Sequence, residues 1–107
     1  CAEKEGFGIV RDFVGHGIGR ALHEDPPVPN FGKRGTGLKL QKGLAIAIDP
    51  MITEGSWQVR VLEDGWTAVT LDGQLAAHHE ETVIVLDHGL EVLTACPKKT
   101  PLKLKAQ

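Results

Sequence analysis

A histidine between two glycines is the first position in this chain where chemistry is expected. The segment Gly15-His16-Gly17-Ile18-Gly19 is followed by a second histidine, His23, seven residues after the first. Glycines cover the backbone thinly, so another group can approach the imidazole closely. This pattern is typical of a metal ligand or of a residue that contacts a substrate. His23 could bind the same site or hydrogen-bond a substrate, although an isolated histidine is more often structural.

A carboxylate ends the clearest strand in the sequence. Alternation over residues 44–49 predicts a strand, which Pro50 is expected to end because proline has no backbone N–H to donate. One face carries bulky apolar residues that would pack into a core, and the other carries small residues and an acid: Leu44, Ile46 and Ile48 against Ala45, Ala47 and Asp49. Small residues beside an acid leave room for a ligand. The alternative is that Asp49 only marks the end of the strand.

Four ionisable residues stand at the head of a second apolar strand, in the segment His78-His79-Glu80-Glu81. Strand alternation places His78, Glu80 and Thr82 on one face, and His79 and Glu81 on the other. Burying such groups unpaired is costly, and a bound divalent metal would offset that cost. The alternative is that this end of the strand is simply solvated.

His16, Asp49 and Glu80 together make a mixed nitrogen and oxygen ligand set drawn from three separate elements. Such a set suits a hydrolytic divalent ion such as Mn, Fe, Co or Zn. It is not a short metal motif of the paired-cysteine kind, so its spacing alone does not establish a site.

The elements that must position these residues are almost all strands. Hydrophobic alternation and turn residues predict strands over 8–14, 44–49, 57–62, 66–71, 76–86 and 91–94, with hairpin turns at Asp64-Gly65 and Asp72-Gly73. We expect a helical remnant over 1–5, a short turn over 20–23 and a long loop over 24–43. An antiparallel sheet with one uncovered face is unstable alone, so a further half of the fold or a second copy should cover it.

Bulk properties argue against several functions. A net charge of −2 and a pI near 6.2 give no reason to expect nucleic acid or an anionic membrane as a partner. No apolar run approaches the roughly 20 residues that span a bilayer, and no signal-peptide pattern is present. The two distant cysteines, Cys1 and Cys96, predict a reducing, cytoplasmic setting. Because the chain starts with Cys1 and its only methionine is Met51, we expect it to be processed, cut or incomplete.

Motifs across residues 6–94 follow one another in a specific order and spacing: Val10-Arg11-Asp12-Phe13, Gly15-His16-Gly17-Ile18-Gly19, His23-Glu24-Asp25-Pro26, Val28-Pro29-Asn30-Phe31-Gly32, Lys42-Gly43, Asp49-Pro50-Met51, Asp64-Gly65-Trp66-Thr67 and Glu80. In this combination they resemble the C-terminal half of a bacterial type I methionine aminopeptidase. The resemblance implies an α+β fold, the C-terminal half of the pita-bread fold, with a mostly antiparallel curved sheet and the N-terminal helical half missing. Residues 1–95 would form this half of the catalytic domain, and residues 96–107 a basic, solvated tail.

The resemblance also implies an activity and a role for each candidate residue. The family uses two divalent metal ions, Co, Mn, Fe or Zn, to hydrolyse the N-terminal methionine from nascent chains. Of its five metal ligands, the histidine falls on His16 and the two glutamates fall on Asp49 and Glu80, whereas two aspartates belong to the N-terminal half. His23 falls on the catalytic histidine that contacts the scissile peptide, and Trp66 on the tryptophan that lines the methionine pocket. Asp49 is also expected to help activate water.

Three departures from the family pattern bear on activity. Asp49 replaces a glutamate and has about 1.5 Å less reach. His79 and Glu81 stand where the family usually has an aromatic residue and a histidine, and the N-terminal half is missing. We therefore expect part of a functional aminopeptidase that is inactive as this chain alone. Two alternatives stay open: a degenerate, non-catalytic pita-bread module that binds a peptide or a ribosomal partner, and a half-domain that a second copy covers.

Overall fold

The computed structural model of the chain describes residues 2–96. Cys1 lies outside the described residues. So do residues 97–107, which make up most of the expected basic tail. The described range contains one short 3₁₀ helix, Ala2–Glu5, where the sequence predicts a helical remnant. No helix in this range is long and apolar enough to cross a membrane.

Strands make up nearly all the regular structure of the described residues. In chain order they are β1 Gly8–Ile9, β2 Gly15–Gly17, β3 Glu24–Val28, β4 Ala45–Ile48, β5 Met51–Thr53, β6 Val59–Val61, β7 Ala68–Thr70, β8 Ala76–His78, β9 Glu81–Leu86 and β10 Gly89–Val92. A five-stranded sheet has the order β10-β9-β4-β2-β3, a three-stranded sheet has the order β1-β5-β8, and β6 and β7 form a separate hairpin. All of these pairings are antiparallel.

One antiparallel register runs from the five-stranded sheet into the three-stranded sheet. Ile48 is paired with Glu81 in the first, and Met51 is paired with His78 in the second. Residues 49–50 therefore lie opposite residues 79–80, and the amide of His79 donates to the carbonyl of Pro50 at 3.3 Å. Pro50 has no N–H to return a bond, so the ladder is interrupted here. This interruption divides the expected strand over 76–86 into β8 and β9.

The core lies on the sheet face to which alternation assigns the bulky residues of 44–49. Ile46 is 2% exposed and pairs with Val83, which is 3% exposed. The opposite face is covered at Ala47, which lies between its pairing partners His16 and Thr82 and is 0% exposed. Ala47 itself therefore leaves no room for a ligand on this face.

The expected strand over 8–14 is wrong after its first two residues, because only Gly8–Ile9 forms a strand, residues 11–13 bend, and β2 begins at Gly15. Ile9 pairs with Ile52, whereas His16 pairs with Ala47. The chain advances seven residues from Ile9 to His16, but only five from Ala47 to Ile52. Two residues between Ile9 and His16 therefore have no pairing partner, and the chain must bulge there.

The expected loop over 24–43 is wrong at its start, where Glu24–Val28 forms β3 despite Pro26 and Pro27. β3 is the edge of its sheet. An edge strand tolerates proline because the missing N–H groups can face away from the ladder. Residues 29–43 have no regular strand or helix, as predicted, and residues 20–23 form a bend.

Gly15 and Gly17 are required by the close approach of neighbouring backbone to β2. A Cβ added at Gly15 would overlap the carbonyl oxygen of Ala47 in β4, and one added at Gly17 would overlap the carbonyl oxygen of Asp25 in β3. These glycines therefore fit the histidine-bearing strand between its two neighbours. This packing role accompanies the open approach to His16 that the sequence pattern predicts.

Replacing Gly17 with alanine is expected to lower the free energy of unfolding by about 3 kcal/mol, because the backbone of Asp25 cannot yield as a flexible side chain would. Gly37→Ala is the matched control. Gly37 has a φ of 89° and open space around it, so only the left-handed conformation costs about 1 kcal/mol. Denaturant titration followed by circular dichroism measures both values. Equal losses would contradict the close packing of β2.

Candidate metal centre

Three candidate ligands, His16, Asp49 and Glu80, lie on one sheet face near the point where the five-stranded and three-stranded sheets meet. His16 is directly opposite Ala47, and Asp49 follows two residues later on the same strand line, so both side chains share a face. Continuing the register of β4 and β9 by one residue places Glu80 opposite Asp49. Side chains opposite each other in such a ladder have Cβ atoms about 5 Å apart. Residues distant in sequence thus occupy neighbouring positions.

The imidazole of His16 is oriented by its own strand. Its Nδ1 lies 2.9 Å from the carbonyl oxygen of Gly17. A carbonyl can only accept a hydrogen bond, so Nδ1 carries the proton and Nε2 keeps a free lone pair. This is the tautomer in which a histidine binds a metal through Nε2.

His23 lies beside His16, as their proposed roles require. The two ring centroids are 4.3 Å apart, with an angle of 56° between the ring planes. The bend that returns His23 to this position is held by Glu24, whose Oε1 accepts a hydrogen bond of 2.8 Å from the amide of Ala21. His23 itself is exposed, so its imidazole remains accessible to a bound molecule.

Asp49 carries the least satisfied polar atom near this face. Its Oδ1 is buried and has no hydrogen-bond partner among the described residues. Nδ1 of His78 lies 3.8 Å from this oxygen, which is longer than a hydrogen bond. A buried carboxylate oxygen without a partner is costly, and a bound cation removes that cost. The residues present therefore fit a divalent metal.

Asn30 anchors the long loop to the backbone of Asp49. Its Nδ2 donates to the carbonyl oxygen of Asp49 at 2.7 Å. This contact fixes the end of β4 in place, beside the interruption at Pro50. Asn30 carried no signal for this role in the sequence, because it lies in a segment without periodicity. His78 did carry one, since alternation placed it on the same face as Glu80.

His79 and Glu81 occupy the opposite face from Glu80 and interact with each other. His79 Nε2 lies 2.9 Å from Glu81 Oε1, and the hydroxyl of Thr94 donates to the other carboxylate oxygen. The Thr94 hydrogen bond, and after it the His79 hydrogen bond, hold the pKa of Glu81 below its usual range. These two departures from the family pattern therefore form a local pair away from the candidate site.

The structure does not bring every candidate residue together. Among residues 2–96, no three histidine, cysteine, aspartate or glutamate side chains are close enough to enclose a metal ion. Glu80 is exposed. Trp66 lies at the turn of the separate β6–β7 hairpin and is 89% exposed. The structure thus places His23 against His16 and Asp49 on the face of His16, whereas Glu80 is exposed and Trp66 lies in a separate hairpin.

The turn that carries Trp66 is organised by one carboxylate. Asp64 Oδ1 accepts hydrogen bonds from the amides of Trp66 at 3.0 Å and Thr67 at 2.9 Å, and its Oδ2 accepts from the Thr67 hydroxyl at 2.5 Å. The hydroxyl contact, followed by the two amides, holds the pKa of Asp64 below its ordinary value. The charged carboxylate therefore stabilises the conformation that presents the indole.

Comparison with known proteins shows a consistent set of similarities. The sequence model of metallopeptidase family M24 matches residues 1–87. The methionine aminopeptidase of Clostridium perfringens is 60% identical over 92 residues, which cover 86% of this chain and 37% of that protein. Crystal structures of methionine aminopeptidases from Thermotoga maritima and Rickettsia prowazekii superpose with TM-scores of 0.84 and 0.85 at 56% and 42% identity. They match 87% and 88% of this chain, and 37% and 38% of their own chains.

Two conclusions follow from these similarities. The expected fold class is confirmed: the described residues are mostly antiparallel sheet and match part of the pita-bread fold. The chain spans about 37% of the length of the C. perfringens relative.

The turn at Asp64 is expected to weaken only at acid pH. Because the folded-state pKa of Asp64 is depressed, its stabilising effect is present above the ordinary value of 3.8 and is lost as pH falls through the lower folded value. Amide NMR shifts of Trp66 and Thr67 should therefore titrate with a midpoint below 3.8. In Thr67→Val the midpoint should rise, because the largest stabilising hydrogen bond is removed.

Asp72 provides the control for this titration. Its pKa is also lowered, but by the amides of Ser56 and Gln74, which Thr67→Val does not touch. The Asp72 transition should stay in place in the variant. An unchanged Asp64 midpoint would show that the Thr67 hydroxyl does not stabilise the carboxylate.

Proposed function

Since this chain belongs to metallopeptidase family M24, we propose that the protein containing it is a metal-dependent methionine aminopeptidase that removes the N-terminal methionine of nascent proteins in the cytoplasm. The observation that carries the proposal is the buried, unpartnered Oδ1 of Asp49 on the same sheet face as His16. A carboxylate oxygen without a donor, near an imidazole with a free Nε2, is the chemistry of a cation site.

Three residues of this chain would hold metal. His16 would bind through Nε2, because Nδ1 is occupied by the Gly17 carbonyl. Asp49 would bind through Oδ1, and Glu80 through its carboxylate from the opposite position in the ladder. This nitrogen and oxygen set accepts Co, Mn, Fe or Zn. The resemblance implies two ions, with two further aspartate ligands from the N-terminal half of the family fold.

A bound divalent metal lowers the pKa of water and polarises a peptide carbonyl. His23 would donate a hydrogen bond to the carbonyl oxygen of the scissile peptide, where negative charge develops. The packing of its ring against that of His16 supports this role. Trp66 would supply an apolar wall for the methionine thioether, which favours contact with aromatic rings. Its exposed indole is available for such a contact.

The shorter side chain of Asp49 favours one competing function. If Asp49 does not reach a metal, the same fold is a non-catalytic module that binds a peptide or ribosomal partner through this face. Glu80 is compatible with that alternative, because its side chain is exposed to solvent. The two functions differ in metal content and in turnover.

The protein as its gene encodes it is expected to release methionine from the peptide Met-Ala-Ser when Co or Mn is supplied, and to lose this activity with a chelator. His23→Ala should lower kcat about 10²- to 10³-fold, as loss of an oxyanion donor does, while metal content stays the same. His88→Ala is the control, because His88 lies in the β9–β10 turn.

The 107-residue chain alone should not turn over this peptide, because it offers three of the five ligands that the resemblance implies. Turnover by this chain alone would contradict the assignment of the other two ligands to the N-terminal half. A gene-encoded protein that contains no metal and cleaves no peptide would favour the binding module.

Asp49→Glu in the gene-encoded protein is expected to tighten metal binding about tenfold, because the added methylene lengthens a carboxylate that otherwise requires a backbone shift. Titration calorimetry with Mn measures the change. Glu91→Asp, at an exposed position of β10, is the control for altered carboxylate length. Unchanged affinity in Asp49→Glu would mean that the aspartate already reaches the metal.

A further inference from the structure

We propose that His78 is an additional nitrogen ligand of the metal centre and that it compensates for the short side chain of Asp49. This inference rests on the proposed metal-dependent function. It concerns a residue to which neither the family resemblance nor the set of His16, Asp49 and Glu80 assigns a role.

The sheet places His78 on the metal-binding face. His78 ends β8 and pairs directly with Met51. Met51 lies two residues after Asp49 on the same strand line, so the side chains of His78, Met51 and Asp49 share a face. His78 is then the diagonal neighbour of Asp49, a position from which long side chains reach one another across a ladder.

The distance between the two side chains matches a shared ion better than a direct bond. His78 Nδ1 and Asp49 Oδ1 are 3.8 Å apart. Two ligand atoms, each about 2.1 Å from a tetrahedral metal, lie about 3.4 Å from each other. A small rotation of the His78 side chain, which is 73% exposed, closes the remaining difference.

The neighbouring histidine supplies an internal comparison. His79 also faces a carboxylate, that of Glu81, and these two groups close to a hydrogen bond of 2.9 Å. On the other face of the same strand line, His78 and Asp49 stand apart, although Oδ1 of Asp49 has no hydrogen-bond partner within residues 2–96. An ion between them would satisfy both groups, since the buried oxygen gains a cation and the imidazole binds as a neutral ligand.

A second imidazole would also change which metal is preferred. Imidazole ligands suit Zn and Fe, whereas carboxylates suit Mn. With His16 and His78 both bound, the centre has two nitrogen ligands in place of one. The ratio of Zn affinity to Mn affinity should therefore be higher in the wild-type protein than in a variant without His78.

The test uses the gene-encoded protein, its His78→Gln variant and His79→Gln as the matched control on the opposite face. Zn and Mn affinities are measured by chelator competition, and X-ray absorption of protein loaded with one equivalent of Zn counts the bound imidazoles. We expect two imidazoles in the wild type and in His79→Gln, and one in His78→Gln. Zn affinity should fall at least about tenfold in His78→Gln, and Mn affinity should fall less.

Several outcomes overturn the proposal. One imidazole in the wild-type spectrum excludes His78 as a ligand, and this reading needs no variant. Lower Zn affinity with an unchanged imidazole count would mean that His78 acts only by positioning Asp49. Equal unfolding temperatures of the metal-free proteins verify that the His78→Gln variant is folded. A wild-type protein that binds no divalent metal contradicts the proposed function as well, whereas a metal-binding, active protein indifferent to His78→Gln contradicts this inference alone.

Discussion

The antiparallel register that continues across Pro50 is the constraint on which the candidate site depends. Pairing of Ile48 with Glu81 and of Met51 with His78 leaves residues 49–50 and 79–80 opposite each other without ladder bonds of their own, apart from the His79 amide. A gap of this kind leaves the strands aligned and frees side chains from regular packing. A slip of one residue in either strand would turn its own acid, Asp49 or Glu80, to the core face.

The same region shows how packing and polar chemistry are divided between elements. β2 is held so closely between β3 and β4 that Gly15 and Gly17 leave no room for a Cβ. That tight fit fixes the backbone on which His16 stands, and the Gly17 carbonyl then selects the tautomer of its ring. This ordered backbone carries the candidate ligand His16, while Asp49 has a buried oxygen without a hydrogen-bond partner among the described residues. A rigid supporting strand, such as β2, and a buried polar atom without a hydrogen-bond partner, such as Asp49 Oδ1, are both properties of a binding site.

The strand line 78–81 separates two kinds of histidine–carboxylate pair on its two faces. His79 and Glu81 satisfy each other on one side, with Thr94 completing the contacts of the carboxylate. On the other side, His78 and Asp49 remain apart, and Glu80 is exposed. The departures at His79 and Glu81 thus fall on the satisfied face, whereas the departure at Asp49 lies on the face that carries the candidate ligands His16 and Glu80.

The sequence by itself determined the strand-rich fold class, the motifs that resemble methionine aminopeptidases, and the face that each residue of 44–49 and 78–82 occupies. These depend on local spacing, which alternation makes visible. Only the tertiary structure decided that β1 ends at Ile9 and β2 begins at Gly15, that residues 24–28 form a proline-containing edge strand, and that Asn30 and His78 approach Asp49. Such features follow from which strands pair and in what register. Pairing is decided by contacts between residues far apart in the chain, to which no local pattern is sensitive.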